Sequence, residues 1–150
     1  MIDPNFSCKI LVDQTPDEVF LAVNRVSGWW SGEVLGESEK LGDEFTYHFP
    51  GIHFSRQKVT ESIPGKKTVW HVTDAELTFV SDKQEWIGTD IVFEIEEGAD
   101  QTELHFTHVG LSPSLQCYGS CANAWSILVT KNLRNLIITG ADQPTPWPEA

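Results

Sequence analysis

The spacing of hydrophobic and polar positions changes period along the chain, and each change marks an element. Phe6, Cys8, Ile10 and Val12 alternate with polar Ser7 and Lys9, the two-residue period of a half-buried strand. Thr15-Pro16-Asp17-Glu18 ends that alternation. It supplies an N-cap threonine, a proline at the first helical position and a glutamate three residues past the cap, which together make a capping box. Val19, Val23 and Val26 give the short helix an apolar stripe, and Ser27-Gly28 closes it. Trp29-Trp30 follows at once. Adjacent indoles point in different directions, so one is expected to pack inward and the other to guard a rim.

Alternation then returns. Phe45, Tyr47 and Phe49 share a face, and Pro50-Gly51 turns the chain into a strand over 52–61. Ile63-Pro64-Gly65-Lys66 carries proline and glycine at the second and third positions of a turn. Strands are expected over 68–74 and, more briefly, 77–80. The longest is expected over 86–97, with Thr89, Ile91, Phe93 and Ile95 on one face and Asp90, Glu94 and Glu96 on the other. Glu97-Gly98-Ala99-Asp100 turns it back into a strand over 102–109, with Leu104, Phe106 and His108 inward. The acidic residues around this hairpin read as a solvated edge that discourages strand addition.

The last long stretch, 112–140, organises the rest. Tyr118, Cys121, Ala122, Trp125, Leu128, Val129, Leu133, Leu136 and Ile137 recur at three- and four-residue steps, one face of a helix. Asn123, Ser126, Lys131, Asn132, Arg134 and Asn135 fall mostly on the opposite face. Ser112 and Pro113 suit the start, Gly140 and Pro144 the stop. At about 1.5 Å per residue such a helix is roughly 40 Å long, so it needs a broad sheet beneath it. The order predicts an α+β domain over 1–140: a curved antiparallel sheet of about six to seven strands around a long C-terminal helix, with a short helical segment after the first strand. Residues 141–150, with Pro144, Pro146 and Pro148 around Trp147, read as an extended tail.

Composition narrows the function classes. The chain has 150 residues, 40% of them hydrophobic, with six Trp and eight Phe, enough for one sizeable core. Twenty-two acidic residues against ten basic ones give a net charge of −12, which repels phosphate backbones and anionic membrane surfaces. No apolar run reaches the ~18 residues of a membrane span. The first nine residues lack a signal-peptide pattern, so the cytoplasm is the expected compartment. Three cysteines suggest no disulfide framework.

Several segments, in order, carry a family resemblance: Thr15-Pro16-Asp17-Glu18-Val19-Phe20, Trp29-Trp30, Lys58-Val59-Thr60-Glu61 running to Val69-Trp70, Gly88-Thr89, Thr107-His108-Val109-Gly110-Leu111, and the helical residues from Trp125 to Leu136. With them the chain resembles the START-like (Bet v 1-like, SRPBCC) superfamily, and within it the family related to the C-terminal domain of the heat-shock protein 90 ATPase activator. The resemblance implies a helix-grip fold with an apolar cavity between helix and sheet. It implies a range of functions, from lipid carriage and cyclase chemistry to co-chaperone work, and the fold alone selects none of them. The additional N-terminal domain of the full-length activator is not expected from this sequence, which counts against the co-chaperone reading.

Candidate residues follow from the predicted faces. Trp30, Tyr47, Trp70, Phe93, Phe106, His108, Cys121 and Trp125 are the expected lining of a site for a small apolar or amphipathic molecule. For each the alternative is plain core packing. His108 is the one catalytic candidate, an inward imidazole able to orient a ligand or act as acid or base in a cyclase- or hydrolase-like reaction; its alternative is a hydrogen-bonded core histidine. His108, Cys117 and Cys121 match no common zinc spacing, so no metal is expected and the cysteines read as buried apolar groups. No phosphate loop or nucleophile elbow occurs, and no cofactor is expected. The expected function is non-catalytic ligand binding, with a homodimeric or chaperone contact and a His108 enzyme as alternatives.

Overall fold

The computed structural model describes residues 6–30, 33–49, 53–77, 86–111 and 118–141. Seven strands form one antiparallel sheet: β1 (Phe6–Val12), β2 (Glu33–Gly36), β3 (Glu44–Phe49), β4 (His53–Ile63), β5 (Lys67–Leu77), β6 (Asp90–Glu97) and β7 (Thr102–Val109). Their spatial order is β1-β7-β6-β5-β4-β3-β2, so the first strand closes the sheet beside the last. Helix α1 (Pro16–Asn24) and the C-terminal helical segments lie on one face. This is a helix-grip-like α+β fold.

Alternation determines which face is dry. Ile10 and Val12, Phe45 and Tyr47, Trp70 and Val72, Ile91 and Phe93, and Leu104 and Phe106 are all buried, while the residues between them are not. A one-residue slip of any strand would turn its apolar set to water, so the pattern holds the register. Two irregularities occur in the β4–β5 ladder, at Arg56/Gln57 and Val59/Glu61. Gly65 makes the tight turn between these strands at φ +73°, where a side chain would be strained and a Cβ would lie 2.7 Å from Asp17 Oδ1.

The structure corrects several expectations. Trp29 and Trp30 are both buried, at 0% and 2% exposure, so neither guards a rim. A tight helical turn, Val26–Gly28, follows α1 and swings both indoles inward, and the backbone N–H groups of Trp29 and Trp30 both donate to the Val26 carbonyl. The strand expected over 86–97 begins only at Asp90, because residues 86–88 form a turn. β5 runs to Leu77 rather than stopping at 74, and 78–80 lie outside the described residues. β2, which the alternation had not shown, pairs with β3. The acidic hairpin β6–β7 is not an edge: both strands are internal, and β1 and β2 are the edges. Its carboxylates occupy the solvent face of central strands.

The C-terminal helix is not uniform either. It runs as α2 (Tyr118–Ile127), a six-residue π-helical segment Leu128–Leu133, and α3 (Arg134–Thr139), ending at Gly140 with φ +73°. From residue 122 onward its buried residues are Ala124 and Trp125, Leu128 and Val129, Asn132 and Leu133, Leu136 and Ile137, a strict repeat of four. A straight α-helix turns about 3.6 residues per turn, so a four-residue stripe would drift off its buried face. The wider i→i+5 turn of the π segment brings the stripe back. The same turn buries Asn132, which the α-helical spacing had put on the wet side; its Nδ2 donates to the Trp29 carbonyl at 3.3 Å. Ser112, Pro113, Cys117 and the tail with Trp147 lie outside the described residues.

The capping box forms as the sequence requires. Thr15 Oγ1 accepts from the Glu18 N–H at 3.2 Å, and Glu18 Oε1 accepts from the Thr15 N–H at 2.9 Å. Thr15→Ala removes the first bond and is expected to cost about 1 kcal/mol, seen as a fall in Tm of about 2–4 °C by differential scanning calorimetry.

Candidate functional site

The interior between sheet and C-terminal helix is built of rings from nearly every element. β3 brings Phe45 and Tyr47, β5 brings Trp70, β6 brings Phe93, β7 brings Phe106 and His108, and α2 brings Trp125. Trp29, Trp30 and Trp86 enter from the adjoining turns. Trp70 packs edge-on against Phe45 at 5.0 Å and Phe93 at 4.9 Å, and Trp125 lies 4.6 Å from Phe106. Such pairs contribute roughly 0.5–1.5 kcal/mol each beyond the area they bury. Seven of the eight residues expected to line a site are therefore brought together here. The side chain of the eighth, Cys121, lies outside the described residues.

His108 sits at one end of this interior with 0% exposure. The Thr89 hydroxyl donates to the Trp86 carbonyl at 2.6 Å, so its oxygen accepts the His108 Nε2–H at 2.8 Å. The other ring nitrogen, Nδ1, accepts the Trp125 indole N–H at 3.0 Å. These partners select the neutral Nε2–H tautomer and occupy both nitrogens. Burial lowers the pKa of His108 to about 3. The residue joins β7, the turn before β6, and the C-terminal helix.

The other end is polar in a different way. Tyr47 on β3 is paired with Ser55 on β4, and Gln57 is the next inward residue of β4; all three have 0% exposure. Gln57 Nε2 donates to Ser55 Oγ at 2.6 Å. Trp30 closes over this patch, 4.6 Å from Tyr47 and 6.0 Å from Trp70. Gln57 Oε1 and the indole nitrogens of Trp30 and Trp70 are buried without a hydrogen-bond partner. A buried polar atom left unpaired costs about 1–3 kcal/mol. Ser55, Gln57, Thr89 and Trp86 were not among the candidates read from the sequence. The alternation on β4 could have found the first two, since Ser55, Gln57 and Val59 fall on one face.

Groups outside the interior are more ordinary. Glu96, Glu103 and His105 cluster on the wet face, where His105 bonds Glu103 and Lys9 approaches Glu103 at 3.9 Å. His71 Nδ1 and Asp90 Oδ1 are 2.7 Å apart across β5 and β6. Burial pushes the Cys8 thiol up to about 11, which keeps it protonated and unreactive. Surface grooves of about 440 and 490 Å³ flank Lys66 at the β4–β5 turn and are lined partly by charged residues. No described helix is long and apolar enough to cross a membrane.

No family model and no curated protein matches the chain. Solved structures do. The Aha1 dimer of Colwellia psychrerythraea is 23% identical at TM-score 0.73, and the match covers 93% of this chain and 98% of that one. DynU16, from the dynemicin biosynthetic locus, is 18% identical at TM-score 0.70 and covers 98% of this chain, which spans 52% of it. CalU16 of Micromonospora echinospora is 17% identical at TM-score 0.62, over 93% of this chain and 76% of that one. At these identities the likeness is one of fold.

The buried imidazole makes stability depend on pH. Unfolded, His108 takes up a proton below its ordinary pKa of 6.5; folded, it does so only near 3. Between those values the unfolded chain binds the extra proton, so stability rises with pH by up to about 1.4 kcal/mol per unit from His108 and levels off above 6.5. Denaturant titrations at several pH values are expected to show this slope in the wild type and its loss in His108→Gln.

Proposed function

We propose that the protein is a START-like binding protein that holds a small, largely apolar molecule between its C-terminal helix and the dry face of the sheet. The observation that supports this best is the pair of buried, unpartnered indole N–H groups at Trp30 and Trp70. A core built only for packing turns its indoles toward acceptors, as this one does at Trp29, bonded to the Val23 carbonyl, and at Trp125. Ring-lined interiors with a few polar groups are the usual form of a small-molecule site. The lining proposed is Trp30, Tyr47, Trp70, Phe93, Phe106 and Trp125.

His108 fits this reading as a structural tie rather than an acid or base. Both of its nitrogens are engaged and its pKa lies far below neutrality, so a general-base role would require breaking a buried network first.

A protein contact is the second reading. Leu21 on α1 and Leu41 in the β2–β3 connection are 67% and 68% exposed, and the Colwellia Aha1 neighbour is a dimer. Sedimentation velocity distinguishes the two: a dimer weakened by Leu21→Ser or Leu41→Ser supports a contact role, self-association or a chaperone-type docking surface. A monomer at every concentration speaks against self-association.

The binding reading is tested by thermal shift and native mass spectrometry across a panel of hydrocarbons, neutral oxygenated ring compounds and fatty acids. A ligand at a hundred times its Kd is expected to add about 2.7 kcal/mol of stability. Failure of every panel member to raise Tm or to travel with the protein would sink the proposal.

A further inference from the structure

We infer, on the basis of that binding reading, that the molecule held is uncharged and oxygenated: a flat ring compound with an acceptor for the Trp30 and Trp70 indoles and an O–H or N–H donor for Gln57 Oε1.

The argument begins with the inventory of unpaired atoms. Trp Nε1 can only donate, so Trp30 and Trp70 present two donors. Gln57 has spent an amide hydrogen on Ser55 Oγ, and its Oε1 presents an acceptor. An occupant with acceptors alone leaves Gln57 Oε1 bare, and a hydrocarbon leaves all three bare. Each bare group keeps its desolvation penalty, so the occupant that completes the set binds best.

Charge decides the rest. Among the described residues, the buried polar groups are Asn24, Ser55, Gln57, Thr68, Thr89, Thr102, His108 and Asn132. None is an acid or a base except His108, and its partners hold it neutral at the far end. A carboxylate or ammonium entering this interior would lose its hydration with no counter-charge to replace it. The chain's charge of −12 further opposes the approach of an anion. Flatness follows from the walls. Trp30 stands edge to face with Tyr47 and Trp70, and Trp70 with Phe45; Tyr47 and Phe45 lie opposite Ser55 and Gln57 in the β3–β4 ladder, and ring faces prefer ring partners.

The test uses four probes of similar size in mildly acidic buffer, where the phenol stays protonated: umbelliferone (carbonyl and hydroxyl), coumarin (carbonyl only), naphthalene (neither) and naphthoate (charged). Calorimetry on the whole chain is expected to rank umbelliferone about tenfold tighter than coumarin, naphthalene weaker again, and naphthoate not bound. Gln57→Leu should remove the umbelliferone–coumarin gap and leave coumarin unchanged. If that variant does not fold, the gap on the wild type reads the same contact. In ¹⁵N-indole NMR spectra, umbelliferone should move the Trp30 and Trp70 N–H signals and leave those of Trp29 and Trp125, already bonded within the protein. Naphthalene or naphthoate binding as tightly as umbelliferone, or still Trp30 and Trp70 signals, overturns the inference. So does the finding that the two indoles are already bonded to resident water and no probe displaces it. Should none of the four bind while a fatty acid or hydrocarbon of the earlier panel does, this inference fails and the binding proposal stands; should nothing bind at all, both fail.

Discussion

Trp125 joins the two layers of this molecule. Its ring meets Trp29 at 6.5 Å, Trp30 at 5.5 Å, Trp86 at 5.9 Å in a near-parallel stack, and Phe106 at 4.6 Å. Its indole N–H is spent on His108. A helix held on a sheet by apolar contact alone can slide, because dispersion and hydrophobic burial are non-directional. The Trp125–His108–Thr89 chain is directional and buried, where a hydrogen bond is costly to lose. It fixes the position of the helix along the sheet, and the other rings pack around that position.

The four-residue repeat of the helix follows from the same constraint. Trp125 must reach the end of the sheet where His108 lies, and Leu136 and Ile137 must still cover the sheet and α1 more than two turns later. An unbroken α-helix would rotate one of these sets toward water. The π segment between them absorbs the difference, and Asn132, carried inside by it, bonds the Trp29 carbonyl. A polar side chain inside an apolar stripe is thus satisfied by the backbone of the turn that also places the two indoles.

Much of this was legible in the sequence and some was not. The capping box, the Pro64-Gly65 turn and the hairpin ending in β7 are local, and local chemistry encodes them fully. The inward faces of β1, β6 and β7 follow from a period of two that no neighbour overrides. That Tyr47, Phe93, Phe106 and His108 turn inward was legible for the same reason. What escaped depends on distance along the chain. The burial of both Trp29 and Trp30 requires partners some 40 to 95 residues away, from Trp70 to Trp125. The π segment is set by the spacing of two contact regions on the sheet, which the helix sequence reports only as a repeat of four in place of a mixture of threes and fours. Gln57 and Ser55 were overlooked because polar residues at inward positions read as interruptions of a strand face until the face is known to be closed over.

That closed face shows a contrast between its two ends. Around His108 both ring nitrogens and the Thr89 hydroxyl have partners from the chain itself, and the neutral imidazole is held in one tautomer. Around Gln57 two indoles and one amide oxygen have none. Folding pressure alone would be expected to treat both ends alike, since an unpaired buried group is as costly beneath β4 as beneath β7. Replacing Gln57 by Leu would remove one of the three unpaired atoms with little change in shape. A chain under selection only for stability has simple routes to that outcome. The two ends therefore differ in how far the chain satisfies its own buried polar groups: at the His108 ring and the Thr89 hydroxyl it does so by itself, and at Gln57 Oε1 and the Trp30 and Trp70 indoles it does not.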